Sequence, residues 1–167
     1  MCHRVLTRLR DDHGRFELLF STIERECDAD EAGQTINHGR LKAIAAYFGT
    51  RALPLHHAIE DAIFTHLLGY FPSFREEIYD LLDDHIQSKR EFDGFLVAVE
   101  TVTQNFVEAA RSFVANERGH FISEEEVFFP YAEKTLTTEE WDAVETGLVA
   151  MQANGNDDQI VKELLQS

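Results

Sequence analysis

Apolar residues recur at spacings of three and four along nearly the whole of this chain. Such spacing places them on one stripe of an α-helix, whereas the alternation typical of β-strands is almost absent. Only three prolines interrupt the 167 residues, so the helices can be long. The sequence therefore predicts an all-α protein in which four long helices with short connections form an up-down-up-down bundle.

Glycines, prolines and polar stretches predict where these helices begin and end. Pro54 should kink or split the second helix near Leu53, and Pro130 should end or bend the fourth. A weak break within residues 101–105 should separate the third helix from the fourth. We expect loops at 28–39 and 69–73, and helices over about 3–27, 40–68, 74–103 and 106–128. Together they make a predicted bundle domain at residues 1–135.

Residues 136–167 form a predicted C-terminal helical appendage packed on the same domain. Thr137 and Glu140 have the spacing of a capping box, which predicts a short helix beginning there. We expect a loop at 154–158 and one or two further helical turns at 159–166.

The two halves of the bundle repeat one pattern. An Asp-Asp-His triplet ends at His13 and again at His85, 72 residues later. A His-x-x-x-Glu motif begins at His56 and again at His120, 64 residues later. Each half is therefore predicted to be a helical hairpin with a lone histidine on its first helix and a histidine–glutamate pair on its second. Two such hairpins related by a pseudo-twofold axis would bring these faces together in the core.

Residues four apart share one helix face, so the imidazole and the carboxylate of each His-x-x-x-Glu motif can reach a common ion. One such motif is weak evidence, because a surface ion pair explains it equally well. Six inward-facing donors are stronger evidence, because buried unpaired carboxylates are costly and metal cations offset that cost. Imidazole with bridging carboxylate suits iron well, and zinc or manganese less distinctively. The predicted metal ligands are His13, His56, Glu60, His85, His120 and Glu124.

Other metal sites and partners fit the sequence poorly. Glu-x-x-His, which a ferritin-like di-iron site needs on two helices, occurs usefully only once, and a His-Glu-x-x-His zinc motif is absent. Fifteen basic against 31 acidic residues give a formal charge of −16, which argues against nucleic acid and membranes as partners. The two cysteines have no metal spacing and no apolar signal segment opens the chain, so we expect a cytoplasmic protein.

The ordered set of motifs resembles the haemerythrin-like family, also called the HHE cation-binding domain. The resemblance covers roughly residues 3–134. It rests on Asp12-His13, His56-His57-x-x-Glu60-Asp61, Asp84-His85 and His120-x-x-x-Glu124-Glu125-x-x-Phe128-Phe129-Pro130.

The resemblance implies a four-helix bundle around a non-haem centre of two iron ions bridged by oxo or hydroxo oxygen. His13, His56, His85 and His120 would be terminal ligands, two per iron. The bridges between the irons would be Glu60 and Glu124.

One position departs from the oxygen-carrying members that the chain resembles. They have a fifth histidine where this chain has Lys89. The remaining pattern is closer to the iron–sulfur cluster repair and nitric-oxide-responsive members, and it implies two irons in similar, open environments. We expect His57 and His66 to be surface or packing residues. Glu17 and Glu117 should lie where they can accept a ring N–H from a ligand histidine of a neighbouring helix, and a solvated helix face is the open alternative for Glu17.

The predicted function is that of a di-iron protein that binds or reacts with O2, NO or peroxide in sensing, scavenging or redox chemistry. Two other classes stay open. The same ligands could serve iron storage or delivery, or metal could stabilise a helical bundle whose appendage, around residues 141–148, docks a protein partner. The sequence does not decide whether the chain is an enzyme or which protein partner it binds.

Overall fold

The computed structural model describes residues 3–69, 75–101, 105–149 and 156–167. Within these ranges all regular structure is helical and strands are absent. The α-helices are α1 (Arg4–Glu31), α2 (His38–Tyr47), α3 (Leu53–Leu68), α4 (Arg75–Thr101), α5 (Phe106–Ser123), α6 (Phe129–Thr135), α7 (Thr138–Val149) and α8 (Asp157–Gln166).

Two π-helical turns interrupt the bundle helices without ending them. One, Phe48–Ala52, joins α2 to α3, and the other, Glu124–Phe128, joins α5 to α6. Each stops two residues before a proline, Pro54 or Pro130. A proline removes one N–H donor and its ring clashes with the carbonyl four residues earlier, and a widened π turn accommodates both effects. The break expected near Leu53 is thus a π-helical turn.

The bundle has four rods, α1, α2–α3, α4 and α5–α6, packed around two apolar clusters. The first cluster is rich in stacked phenylalanines, and it includes Phe20, Phe48, Phe95 and Phe113. The second cluster lies nearer the other end and includes Leu9, Ile59, Phe64, Leu67 and Phe128. The predicted four-helix bundle is therefore confirmed.

Several predicted boundaries are wrong by a few residues. The first helix continues to Glu31, where Arg111 of α5 binds the Asp28 and Glu31 carboxylates at 2.9 and 2.6 Å. The second helix begins at His38 because the Asn37 side chain accepts a hydrogen bond from the Arg40 amide and caps it. The turn expected at 69–73 and the break expected at 101–105 fall largely outside the described residues.

The C-terminal helices pack on the bundle. The capping box forms, since the Glu140 amide donates to Thr137 Oγ1 at 3.4 Å and the Thr137 amide donates to Glu140 Oε2 at 2.8 Å. Trp141 of α7 joins the second apolar cluster, and Val161 of α8 joins the first. The helix α8 starts at Asp157, inside the loop expected at 154–158. The placement of a boundary at residue 135 stays a prediction.

Among the helices that the structure describes, none is long and apolar enough to cross a membrane.

Candidate metal centre

A layer of polar side chains separates the two apolar clusters. On α1, for example, His13 lies between Leu9 of the second cluster and Phe16 of the first. The six predicted ligands all belong to this layer, and the most exposed of their side chains, that of His85, is only 10% exposed. The sequence repeat thus brings its donors to one buried level of the bundle.

The donors form two groups that share one carboxylate. Within each group, one donor atom from every residue lies within 4.8 Å of the others. We call His13, His56, Glu60 and Glu124 the first donor group, and His57, Glu60, His85 and His120 the second donor group.

Both glutamates span the two donor groups. Glu60 places Oε1 at 2.9 Å from His56 Nε2 and Oε2 at 3.3 Å from His85 Nε2. Glu124 places Oε2 at 3.2 Å from His13 Nε2 and Oε1 at 3.2 Å from His120 Nε2. Each carboxylate therefore presents one oxygen to each side, which is the arrangement that a bridging ligand needs.

Most of these donor atoms face only one another, and Nε2 of His13 lies 3.1 Å from Nε2 of His56. The four oxygens of Glu60 and Glu124 and the Nε2 atoms of His57, His85 and His120 are buried without a hydrogen bond among the described residues. An unsatisfied buried polar group costs about 1–3 kcal/mol. Cations offset this cost directly, and the mixed imidazole and carboxylate donors fit iron, zinc or manganese.

Each of the four predicted ligand histidines turns its other ring nitrogen toward a carboxylate on another rod. For His13, His56 and His85 this contact is a hydrogen bond, and such a partner holds the proton on Nδ1 and leaves Nε2 free to bind a metal. Nδ1 of His120 makes no hydrogen bond among the described residues. The Nδ1-to-carboxylate distances are 2.8 Å for His13 and Glu125, 3.5 Å for His56 and Asp12, 3.1 Å for His85 and Asp61, and 3.6 Å for His120 and Asp84.

These outer carboxylates are chain neighbours of other ligands. Asp12 precedes His13 in the chain but faces His56, and Asp84 precedes His85 but faces His120. An acid precedes each lone histidine and another follows the glutamate of each His-x-x-x-Glu motif, in both halves of the bundle. That recurrence was the signal from which these outer carboxylates could have been predicted.

The expectation that Glu17 and Glu117 accept a ring N–H is wrong, and Glu17 lies on an exposed helix face, as the alternative had it. Glu17 binds the Arg118 guanidinium at 2.9 Å, and Glu117 accepts a hydrogen bond from Ser88.

Charge pairing dominates the metal-free site. Burial opposes protonation of His56, but the Glu60 carboxylate and Asp12 raise its pKa well above the ordinary value. Burial likewise opposes protonation of His85, but its hydrogen bond with Asp61 and its ion pair with Glu60 raise its pKa to about 9. Burial alone would raise the pKa of Glu60, and the charge of His56 lowers it instead. A cation entering the site must therefore displace protons from these imidazoles.

His57 is a donor that the sequence analysis left out. Its ring stacks on His85 with 4.1 Å between centroids and meets His120 edge-on at 5.9 Å. Burial and the neighbouring charges of His85 and His56 lower its pKa well below the ordinary value, so the imidazole is neutral and has a free lone pair.

The exclusion of His57 rested on helix geometry. Adjacent residues point about 100° apart, so His57 cannot share the direction of His56. The two donor groups, however, lie in different directions from α3. The angle of about 100° between adjacent residues therefore directs His56 toward the first donor group and His57 toward the second, which includes His85 of α4. By contrast, Lys89 is 74% exposed and pairs with Asp93 at 2.7 Å, and His66 belongs to neither donor group.

Comparison with known proteins agrees with this site. A family model described as the hemerythrin HHE cation binding domain matches residues 4–132, a range that contains every donor named above. No match to the chain was found among curated proteins or among solved structures. The chain therefore belongs to the haemerythrin HHE cation-binding domain family.

Proposed function

We propose that the protein holds two metal ions, and that both are iron. The observation that carries this proposal is that Glu60 and Glu124 each present one oxygen to either donor group. In this proposal His13 and His56 bind one ion, His85 and His120 bind the other, and the two carboxylates bridge them. His57 adds a third imidazole to the second ion.

The proposed ligand set is unequal. The first ion has two imidazole ligands and the second has three. The sequence analysis expected two irons in similar environments, because Lys89 stands in place of a fifth histidine. That expectation does not apply when His57 is a ligand. Two histidines with carboxylates are typical of non-haem iron that keeps positions open for small oxygen ligands. Iron in the first donor group would supply a redox-active, open position for O2, NO or peroxide.

Aromatic side chains enclose this open side. Phe121 stacks on the His13 ring at a centroid distance of 4.1 Å, and Phe129 stacks on it at 5.6 Å. Phe16 meets the His56 ring edge-on at 5.2 Å. These rings exclude water from the two imidazoles, which favours a small apolar ligand over a charged one.

The burial of the donors supports a retained centre over an exchangeable iron store. Glu60 and Glu124 have no exposed surface, and His56 is 1% exposed. Release of iron from the first donor group would require the rods to separate locally, so loss of that iron to a chelator should be slow. Fast loss of all iron to a chelator at neutral pH would favour the storage or delivery alternative.

The test begins with metal content. Protein grown with ample iron should contain two irons per chain by elemental analysis. Glu124→Gln removes one bridge and should lower the content below two. Glu126→Gln is the matched control, because Glu126 lies in the same π-helical turn but is exposed. One zinc and no iron in the wild-type protein would overturn the proposal.

Reactivity is tested separately. Reduced, iron-loaded protein mixed with NO or oxygenated buffer in a stopped-flow instrument should change its visible spectrum. His56→Phe should abolish the change, whereas Glu126→Gln should not. An iron-loaded protein that is inert toward O2, NO and peroxide would keep the metal proposal and remove the small-ligand function.

A further inference from the structure

A cavity of about 980 Å³ opens beside the second donor group, between α2–α3 and α4. It is much larger than a diatomic ligand needs, since a water molecule takes up only about 30 Å³. Sites for drug-sized organic molecules have volumes of roughly 300–1,000 Å³. The cavity therefore has the size for an organic molecule.

Small residues on one wall create this space. Ala45, Ala46 and Gly49 line it from α2 and the first π-helical turn, and Phe92 lines it from α4. A Cβ on Gly49 would lie 2.7 Å from the Phe92 ring, so a side chain there would push the ring into the cavity or into the core. Most of the surface of the lining is apolar, and an apolar occupant would be favoured by burial.

The charged residues of the cavity balance one another. Asp61 pairs with His85 at 3.1 Å, and Lys89 pairs with Asp93 at 2.7 Å. The remaining two charged residues, Lys42 and Glu100, have opposite signs. A chain with a net charge of −16 thus has a cavity whose lining charges cancel, so a charged ligand gains no net attraction there to offset the hydration that it loses.

The cavity is elongated and ends at the candidate metal centre. Lys42 precedes His57 by 15 residues and Glu100 follows His85 by 15, and all four line the cavity. At about 1.5 Å per helical residue, this spacing corresponds to a length of about 22 Å. His57 and His85 also belong to the second donor group, so one end of an occupant would contact them.

We propose that this cavity binds an uncharged, largely apolar organic molecule whose inner end lies against His57 and His85. Binding to the metal-free protein is independent of the proposed function. Only the contact of the occupant with a metal ion rests on it, so the two proposals can fail separately.

The experiment titrates the full chain, metal-free and metal-loaded, with N-phenyl-1-naphthylamine, an uncharged fluorophore that brightens in apolar surroundings. We expect saturable binding of one probe per chain. Ala46→Trp and Thr50→Trp, which fill the cavity from α2 and the π-helical turn, should weaken binding at least tenfold. Ala115→Trp is the matched control, because Ala115 is also an exposed helical alanine but lies on α5 outside the lining.

Competition with 1-octanol and octanoate tests the charge argument, because these molecules share a hydrocarbon chain and differ in charge. Octanol should displace the probe from the wild-type protein, and octanoate should do so at least tenfold less well. Equal displacement by both would overturn the assignment to uncharged ligands. Absence of saturable binding, or binding that neither filling variant weakens, would overturn the site itself.

Discussion

Replacing His57 with phenylalanine should change the metal-free and the metal-loaded protein in opposite directions. Phenylalanine keeps a flat ring to stack on His85 but removes both ring nitrogens. In the metal-free protein the replacement removes Nε2 of His57, which is buried without a hydrogen bond. In the loaded protein it removes one of the four donors in the second donor group.

Both effects have an estimable size. An unsatisfied buried polar atom costs about 1–3 kcal/mol, so metal-free His57→Phe should gain about 1 kcal/mol or more. For a chain of this length, this gain raises Tm by about 2–4 °C. Loss of an outer-sphere partner alone weakens metal binding about 10–100-fold, and loss of a donor should cost at least as much. The stabilisation conferred by metal should therefore fall by about 1.4–2.8 kcal/mol.

The assay is calorimetric melting of metal-free and iron-loaded protein at pH 7.5, combined with competition against a chelator. His66→Phe is the control, because His66 lies nine residues further along the same helix and outside both donor groups. If His57→Phe retains both irons as tightly as the wild type does, His57 is not a ligand. A lower metal-free Tm would show instead that the imidazole is satisfied and that the reasoning about Nε2 is wrong.

Three further outcomes are expected. Glu60→Gln should reduce the metal content below two ions per chain by elemental analysis, whereas the exposed Glu126→Gln should leave it at two. The raised pKa of His85 contributes stability that is complete below about pH 6.5 and is lost as pH rises through about 9. Urea titrations should therefore show metal-free protein losing up to about 3 kcal/mol between pH 6.5 and 9.5, and metal-loaded protein losing much less. Gly49→Ala should destabilise the fold by about 1–3 kcal/mol through the crowded ring beside it, whereas Gly94→Ala, with nothing within 4 Å of its Cβ, should stabilise α4 by about 0.5–1 kcal/mol in the same titrations.

The all-α fold was predictable because helices need only local information. Apolar spacing identified each rod, and the Thr137 capping box identified the start of α7. Pro54 and Pro130 predicted that the regular hydrogen-bond pattern must change near them. They did not predict that the change would be a π-helical turn. The extension of α1 to Glu31 depends on Arg111, a residue 80 positions away, so no local pattern reports it.

The candidate site was predictable only as far as one helix face at a time. The His-x-x-x-Glu spacing correctly placed His56 beside Glu60, because both residues belong to one helix and share one of its faces. His57 was missed because its place in the second donor group depends on where α4 lies relative to α3, and no local sequence pattern reports the relative position of two helices. The outer carboxylates were missed for the same reason, since the acid beside each lone histidine serves a histidine on another rod.

The crossed pairing of acids and histidines couples the site to the register of the bundle. Adjacent residues Asp12 and His13 point to different neighbours: Asp12 binds His56 on α3, and His13 meets Glu124 and Glu125 on the fourth rod. A shift of α1 by one residue would rotate it by about 100° and break all of these contacts together. The same set of contacts therefore specifies the packing of the rods and builds the donor groups. Metal binding then acts on the folded bundle as a whole, because no single helix or hairpin carries a complete donor group.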